Sequence, residues 1–334
     1  MKIRCKKVAF TSAAPWSVTN GAVTLTATWS DLVWAAVTVG RRNSKGISQF
    51  GIYSFYELMY RLFMVYANLR EHSDGTVRQT KAYKKLDRSE KGAVSFFLGM
   101  AFAKLVADKV LNVPWLVHMS AFSGGALLSP DLVGRRIDPI TGLLSDWLAL
   151  EAKGRTNAAS ARAIDNAVKQ AKTAFLLYAN GHLVAPLRCA CVTHFPKAAL
   201  KVHLEDPPAR RRRSPRHIAL SDADYFSKYY EPVTALIDSR KASETTIDVD
   251  GLSYRVVSFK ELDMRLGYCE GVRQNLIEGR PLRSQPRGAA VGSGSGRSAS
   301  AAATRTTYRD GILVELGPKW STERMLLEPP ARGR

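Results

Sequence analysis

The fold is decided by the stretch Ser129-Pro130-Asp131-Leu132-Val133-Gly134 together with Trp147-Leu148-Ala149-Leu150-Glu151-Ala152-Lys153-Gly154-Arg155. Residues 137–142 between them include a proline and a glycine, which are typical of turns, so the pattern predicts an antiparallel hairpin with its tip near Thr141. Asp131 and Glu151 each lie ten residues from that tip. We therefore expect these two residues to lie opposite each other on neighbouring strands, with Cβ atoms about 5 Å apart.

Two carboxylates at that separation repel each other, and a cation between them would relieve the repulsion. The arrangement therefore favours a divalent metal ion. Side chains alternate between the two faces of a strand, so Lys153 points to the same face as Glu151. Leu148, Leu150 and Ala152 point to the other face and are predicted to pack into the core.

Pro130-Asp131 followed by Glu151-x-Lys153 resembles the signature of the PD-(D/E)xK nuclease superfamily, which has the restriction-endonuclease-like fold. The resemblance covers roughly residues 87–205. It implies an α/β protein with a core of helix, three strands, helix and strand (αβββαβ), in which a mixed central sheet is flanked by helices. An N-terminal β/α extension and a C-terminal extension are expected outside this core.

The resemblance also implies the activity, a metal-dependent nuclease that hydrolyses phosphodiester bonds in nucleic acid, with DNA as the expected substrate. Asp131 and Glu151, with the backbone carbonyl of Ala152, would hold Mg²⁺ or Mn²⁺. Lys153 would orient or activate a water and stabilise charge on the attacked phosphorus.

Several other positions are weaker candidates for the same site. Glu90 could be an additional acidic ligand, although a helix-capping role explains it equally well. Gln170 could face the site from the following helix or lie on the surface. Arg155 is either a phosphate contact or an ordinary charged strand end, and Asp146 could replace Asp131 as ligand only if the strand register shifted by one residue. Contacts with phosphates are also open to the basic segment formed by Arg210, Arg211, Arg212 and Arg213.

The order of elements along the chain can be predicted independently of the motif. Asp87 followed by Glu90 is a capping box and starts a helix over 87–111. Apolar periodicity and alternation then predict strands over 114–119, 131–136 and 146–154, a helix over 158–180 and a strand over 187–195. We divide the chain into an N-terminal extension (1–86), the nuclease-like core (87–205), a basic loop with an α/β extension (206–280), a flexible linker (281–305) and a C-terminal segment (306–334).

The flanking regions have patterns of their own. Residues 47–69 are rich in aromatic and aliphatic side chains at helical spacing, and we predict that the aromatic rings are core. A helix is predicted over 221–240, a hairpin over 245–259 with its turn at Asp250-Gly251, and another helix over 260–278. Ile312, Val314 and Leu316 alternate as in a short strand that docks onto the body of the protein.

The charge balance indicates an anionic partner. The chain has 49 Lys plus Arg against 29 Asp plus Glu, a net charge of +20, and such a surface attracts nucleic acid. The 4 cysteines are too few and too scattered for a disulfide framework, so a cytoplasmic location is expected. The apolar runs predict no membrane span, and a homodimer is compatible with the sequence. The motif Cys189-x-Cys191-x-x-His194 resembles part of a zinc site but lacks a fourth ligand.

Two other classes of function compete with the nuclease. The first is a nucleic-acid-binding or regulatory protein that keeps the fold without cleavage, in which loss of Asp131, Glu151 or Lys153 would be expected. The second is a protein-interaction module in which the aromatic segment 47–69 is an exposed docking surface. Burial of Tyr56, Leu62 and Phe63 would remove that second idea.

Overall fold

The computed structural model describes residues 1–10, 16, 18–39, 52–122, 130–172, 175–208, 216–240, 243–280, 291–292, 304–318 and 320. Helices in these residues are α1 (Trp29–Thr38), α2 (Ile52–Asn68), α3 (Lys81–Lys85), α4 (Arg88–Leu111), α5 (Ala161–Ala171), α6 (Asp222–Asp238) and α7 (Glu270–Ile277). Strands in the first half are β1 (Lys2–Val8), β2 (Gly21–Thr26), β3 (Leu69–Glu71), β4 (Val77–Gln79), β5 (Trp115–His118), β6 (Leu132–Ile137) and β7 (Leu144–Gly154). The later strands are β8 (Phe175–Ala179), β9 (His182–Val184), β10 (Leu187–His194), β11 (Lys201–Glu205), β12 (Arg216–Leu220), β13 (Glu244–Val249), β14 (Leu252–Phe259), β15 (Met264–Cys269), β16 (Val291–Gly292), β17 (Thr304–Thr307) and β18 (Ile312–Leu316).

The architecture is mixed α/β, with a central mixed sheet of order β2-β1-β11-β10-β7-β6-β5. Strands β5, β6 and β7 form an antiparallel meander, while β10 runs parallel to β7 and β1 runs parallel to β11. The N-terminal strands β1 and β2 thus belong to the same sheet as the predicted core. Helix α4 packs against β7 and β10, and α5 packs against the same two strands.

The β6–β7 hairpin has the predicted register. Leu132 pairs with Leu150 and Arg135 with Trp147, and a bulge between Arg135 and Ile137 shifts the register only near the turn. At the turn, Asp138 accepts hydrogen bonds from the backbone N–H groups of Ile140 and Thr141, and Gly142 adopts a positive φ of 70°. The turn residues, which include Pro139 and Gly142, therefore determine which residues lie opposite each other at the open end of the hairpin.

Helix α4 lies where the capping box predicts a helix. The Asp87 carboxylate accepts the N–H groups of Ser89 and Glu90, and the Glu90 carboxylate accepts the N–H of Asp87. The helix ends at Leu111, and the cap residue Asn112 has a left-handed conformation with a φ of 56°. Its Gly99 lies against Gly154 of β7, so helix and strand approach each other more closely than side chains at those positions would allow.

Two predicted helices are wrong in part. The helix predicted over 158–180 ends at Ala171, and Phe175–Ala179 instead forms β8, which pairs in parallel with β12. The helix predicted over 260–278 contains strand β15, and only Glu270–Ile277 is α-helical. In both cases a partner strand distant in sequence supplies backbone hydrogen bonds that the local pattern does not reveal.

The aromatic segment forms a helix, but the prediction that its rings are core is wrong for four of them. Leu58, Leu62 and Val65 face the core. The exposed face carries large rings with 47% to 71% of their surface accessible. These rings are Tyr53, Tyr56, Tyr60 and Phe63.

The C-terminal predictions fare better. Helix α6 and the β13–β14 hairpin lie where expected, with Asp250 and Gly251 both at positive φ in the turn. Strand β18 pairs with β15, so the C-terminal segment docks onto the body of the protein as predicted. Most of the predicted linker lies outside the described residues, whereas Val291–Gly292 and Thr304–Arg305 from it are paired in β16 and β17.

A buried polar cluster attaches this C-terminal segment to α1, α4 and α6. Asp310 accepts hydrogen bonds from the Trp34 indole at 2.8 Å and from the Tyr229 hydroxyl, and Lys104 lies 3.9 Å away. Lys104 also donates to the carbonyl of Pro114 and, at 2.8 Å, to the Tyr229 hydroxyl. Within the described residues, no helix is long and apolar enough to cross a bilayer.

Candidate functional site

Asp131, Glu151 and Lys153 are brought together at the edge of the β6–β7 hairpin. Leu132 pairs with Leu150, so Asp131, one residue before β6, lies opposite Glu151. Lys153 lies two residues further along β7 and points to the same face. Leu148, Leu150 and Ala152 are buried on the opposite face, as predicted.

The backbone of Ala152 positions the Asp131 carboxylate. The Ala152 N–H donates to Asp131 Oδ2 at 3.0 Å. In an antiparallel pair the N–H and C=O of one residue point towards the same neighbouring strand, so the Ala152 carbonyl points to the side on which Asp131 lies. Strand β6 begins only at Leu132. A carboxylate and a backbone carbonyl therefore share the space just beyond the end of that strand.

Lys153 contacts both acids. Its ammonium forms an ion pair with Glu151 Oε1 and lies 3.9 Å from Asp131 Oδ2. The lysine thus supplies positive charge between two carboxylates, which is the charge that the sequence argument assigned to a metal ion. Relief of repulsion alone therefore does not require a metal.

Glu151 has the unusual environment of the three. Its side chain is 1% exposed, against 28% for Lys153 and 21% for Asp131. Burial, and then the negative charge of Asp131, raise the pKa of Glu151 to about 7, although the contact with Lys153 opposes the shift. Its Oε1 lies against the Lys153 ammonium, whereas its Oε2 accepts no hydrogen bond from the described residues. A buried carboxylate oxygen without a hydrogen bond is costly, so Oε2 has unused capacity to bind a cation.

This donor set fits a hard divalent cation. Asp131, Glu151 and the Ala152 carbonyl offer oxygen only, which Mg²⁺ and Mn²⁺ prefer, and Mg²⁺ usually keeps several waters beside one or two carboxylates. The described part of the chain has no cluster of three or more His, Cys, Asp or Glu side chains suited to a metal. Water or substrate oxygens would therefore have to complete the coordination.

The weaker candidates lie apart from this cluster or beside it. Glu90 is exposed and its carboxylate caps α4. Asp146 accepts a hydrogen bond from Arg136 at 3.4 Å, so its carboxylate is engaged outside the Asp131–Glu151–Lys153 cluster. Gln170 is half-buried on α5, and Arg155 is exposed just past the end of β7. Arg210, Arg211, Arg212 and Arg213 lie outside the described residues.

The zinc interpretation of the cysteine motif has no support. Cys189 and Cys191 are fully buried in β10, and burial raises the pKa of both thiols. His194 Nδ1 accepts the backbone N–H of Ala159 at 3.1 Å. Thiols whose ionisation is disfavoured do not make good metal ligands.

Sequence reasoning missed the network that holds the end of β7. Ser95 on α4 hydrogen-bonds both the Tyr83 hydroxyl at 2.7 Å and the Thr156 hydroxyl at 3.0 Å. Gln79 donates to the Thr156 carbonyl at 2.7 Å. These residues come from α3, α4, β4 and the segment that follows β7, and no local spacing in the sequence links them. The network fixes the strand only three residues beyond Lys153.

On the opposite flank of the site, α6 packs on the face of the sheet that carries Glu151. Tyr225 lies edge-on to Trp147, with ring centroids 5.1 Å apart, and Arg135 forms an ion pair with Asp222 at 3.0 Å.

Comparison of the chain with protein-family models, with curated proteins and with solved structures gave no match.

Proposed function

We propose that the protein is a metal-dependent phosphodiesterase that hydrolyses nucleic acid, with DNA as the expected substrate, on a restriction-endonuclease-like core. The observation that supports this proposal most is the buried Glu151 carboxylate, which lies opposite Asp131, contacts the Lys153 ammonium through Oε1 and has an Oε2 without a hydrogen bond from the described residues. A purely structural acid at such a depth would be expected to have its oxygens satisfied.

The order of elements supports the same proposal. Helix α4, strands β5, β6 and β7, helix α5 and strand β10 follow one another as the resemblance requires, and β10 is parallel to β7. Strands β8 and β9 are an insertion between α5 and β10 relative to that order.

Each residue of the site has a distinct task in this proposal. Asp131 and Glu151, with the Ala152 carbonyl, would hold the cation. When bound, Mg²⁺ would polarise a phosphoryl oxygen and lower the pKa of water. Lys153 would move from the carboxylates towards the substrate and stabilise negative charge that develops on the phosphoryl oxygens. Its partial exposure leaves room for that movement.

The raised pKa of Glu151 gives the reaction a pH dependence. With a pKa of about 7, a large part of Glu151 is protonated in slightly acidic solution. A protonated carboxyl is a poor metal ligand, so activity at limiting Mg²⁺ should fall as the pH decreases below 7. Saturating Mg²⁺ should shift this loss to lower pH, because the cation competes with the proton.

A cleavage assay tests the proposal. The purified chain is incubated with plasmid, single-stranded DNA and RNA in Mg²⁺, Mn²⁺ or EDTA, beside Glu151→Gln and Lys153→Ala. We expect cleavage that EDTA abolishes and that each variant reduces by at least about 100-fold. Asp146→Asn is the matched control, since this acid lies on the same strand and is bound to Arg136; it should cleave like the parent.

The same assay separates the nuclease from a protein that binds nucleic acid without cleaving it. Absence of cleavage on all three substrates, or equal cleavage by parent and Glu151→Gln, contradicts the nuclease. Retained binding of the same substrates in that case would favour the non-cleaving alternative.

A further inference from the structure

The face of the central sheet that carries Glu151 continues past α5 onto β11 and β1, where it becomes basic. Along β1 the exposed residues Lys2, Arg4 and Lys6 alternate with buried apolar ones. Lys201 and His203 alternate in the same way along β11 and are half-buried. We call Arg4, Lys6 and Lys201 the basic face.

The strand register connects the basic face to the candidate site. Lys153 pairs with Val192, Val192 with His203, and His203 with Lys6. Since neighbouring strands are about 4.8 Å apart, Lys6 lies three strand spacings, or about 14 Å, from Lys153 in the same row. The adjacent row contains His194, Lys201 and Arg4.

The cations of the basic face are not neutralised within the described part of the chain. The acid nearest to them in the register is Glu205, and its carboxylate contacts His203 Nε2 at 2.8 Å. No carboxylate of the described residues forms an ion pair with Arg4, Lys6 or Lys201. The three positive charges therefore face solvent together.

Arg4 and Lys201 occupy directly paired positions on parallel strands. Like charges at paired positions destabilise a sheet, and an anion placed over them would offset that cost. The positive field is also evident at His194, whose pKa is lowered by burial first and then by His203 and Lys201.

The end of the row nearest the site offers further groups to an anion. Helix α5 starts beside it, because Ala159, just before the Ser160 cap, donates its N–H to His194. The positive end of an α-helix attracts phosphate. Arg155 is exposed, and its backbone N–H donates a hydrogen bond to the carbonyl of Thr193, the residue before His194.

We propose that the basic face, with Arg155 and the start of α5, binds the phosphate backbone of a nucleic acid that extends from the Asp131–Glu151–Lys153 site. This proposal extends the proposed function by naming the surface that binds the substrate. It rests on the proposed function for the identification of the partner as a nucleic acid. The phosphates of a nucleic-acid backbone are favoured over other anions because the cations follow the register of two neighbouring strands.

The test measures binding in EDTA, so that it does not depend on cleavage. A fluorescent 20-base-pair duplex is titrated with the full chain at several KCl concentrations, and the same is done for the double variant Arg4→Gln/Lys201→Gln. Loss of two phosphate contacts should reduce the slope of log K against log[KCl] by about 1.8. Affinity at low salt should fall at least about 10-fold.

The matched control is Lys84→Gln/Lys260→Gln, which removes the same charge from exposed positions outside the basic face. It should keep the parental slope within error. The proposal is overturned if the Arg4/Lys201 variant binds like the parent, if the control loses as much, or if polyglutamate of equal charge competes as well as DNA. Thermal unfolding should be unchanged in the control and unchanged or slightly raised in Arg4→Gln/Lys201→Gln, where a pair of like charges on neighbouring strands is removed.

Failure of this proposal can be told from failure of the proposed function. Metal-dependent cleavage with an unaltered salt slope in the variant would leave the nuclease and remove the basic face as its binding surface. A reduced slope without cleavage by the parent would leave the binding surface and remove the nuclease.

Discussion

Lys153 and Lys104 each lie against a buried carboxylate, and the two clusters differ in how the acid is satisfied. Asp310, beside Lys104, accepts hydrogen bonds from Trp34, Tyr229 and the backbone of Ile312. Glu151, beside Lys153, has the Lys153 ammonium at Oε1 and no hydrogen bond from the described residues at Oε2. Lys104 is fully buried, with its ammonium 4.5 Å from the ring centroids of Trp34 and Tyr229.

The difference separates an ion pair with a structural role from the one that we propose has a functional role. In the Lys104–Asp310 cluster, donors and acceptors are matched and solvent is excluded, so the charges can serve only to hold α1, α4, α6 and the C-terminal strands together. In the Asp131–Glu151–Lys153 cluster the lysine is partly exposed and the acid is under-satisfied. The first is complete in the chain itself, whereas the second leaves an oxygen free for the cation that we propose it binds.

The largest effect is expected from Asp310→Asn. The substitution removes the nearest countercharge of the buried Lys104 ammonium and leaves only the weaker effect of Asp108, which should lower the free energy of unfolding by about 3–5 kcal/mol. Urea denaturation measures the change. The double variant Lys104→Met/Asp310→Asn should recover part of the loss, because no unpaired charge remains. A loss below about 1 kcal/mol for Asp310→Asn would contradict the structural assignment.

A smaller loss is expected from Gly154→Ala, which tests how β7 is seated on α4. A Cβ at position 154 would lie 1.6 Å from the Ser95 carbonyl oxygen, so helix and strand would have to separate. We expect a loss of about 1–3 kcal/mol in unfolding free energy and weaker cleavage. Gly92→Ala on α4 is the control: nothing lies within 4 Å of its Cβ, and it should be neutral or stabilising. Parental stability of Gly154→Ala would show that the close approach is not required.

Glu151→Gln should stabilise the metal-free protein near neutral pH. Because burial and Asp131 raise the folded-state pKa from 4.5 to about 7, the folded chain binds more protons than the unfolded chain between these values. Stability contributed by this group is therefore lost as the pH rises from 4.5 to 7. The variant should exceed the parent by about 1–3 kcal/mol at pH 8 and match it near pH 4. Denaturation in EDTA across this range measures the difference, and a variant that is less stable at pH 8 would show Glu151 to be a structural acid.

The smallest effect is expected from an exposed pair of the same chemistry. Lys228 lies 4.0 Å from Asp224 one turn away on α6, and both side chains are accessible. Lys228→Ala should change the free energy of unfolding by less than about 0.5 kcal/mol. A change above about 1 kcal/mol by the same urea measurement would mean that the exposure of these three lysine–carboxylate contacts does not determine how much each contributes to stability.

The hairpin and the start of α4 could be predicted because short-range rules determine them. Turn residues set the register that places Asp131 opposite Glu151, and the capping box at Asp87 sets the first turn of the helix. The end of α5 could not be predicted in this way, since the apolar spacing continues through Phe175 although that residue lies in β8. Pairing with β12, far along the chain, decides its structure.

The candidate site was predictable in its members but not in its electrostatics. Alternation along β7 places Glu151 and Lys153 on one face, yet the pattern does not say that the lysine contacts both acids or that Glu151 is the more buried one. The exposed face of α2 was missed for a related reason. Periodicity identifies a helix with apolar residues, whereas the elements that cover it decide which of them are buried.

Direct metal binding tests the central claim most simply, because it does not depend on the substrate. Mn²⁺ is titrated into the full chain, and the free ion is measured by electron paramagnetic resonance for the parent, Asp131→Asn, Glu151→Gln and the control Asp146→Asn. We expect a bound ion in the parent and in Asp146→Asn, and loss of the bound ion in Asp131→Asn and Glu151→Gln. Equal binding by the parent and Glu151→Gln, or no binding by the parent, would contradict the central claim.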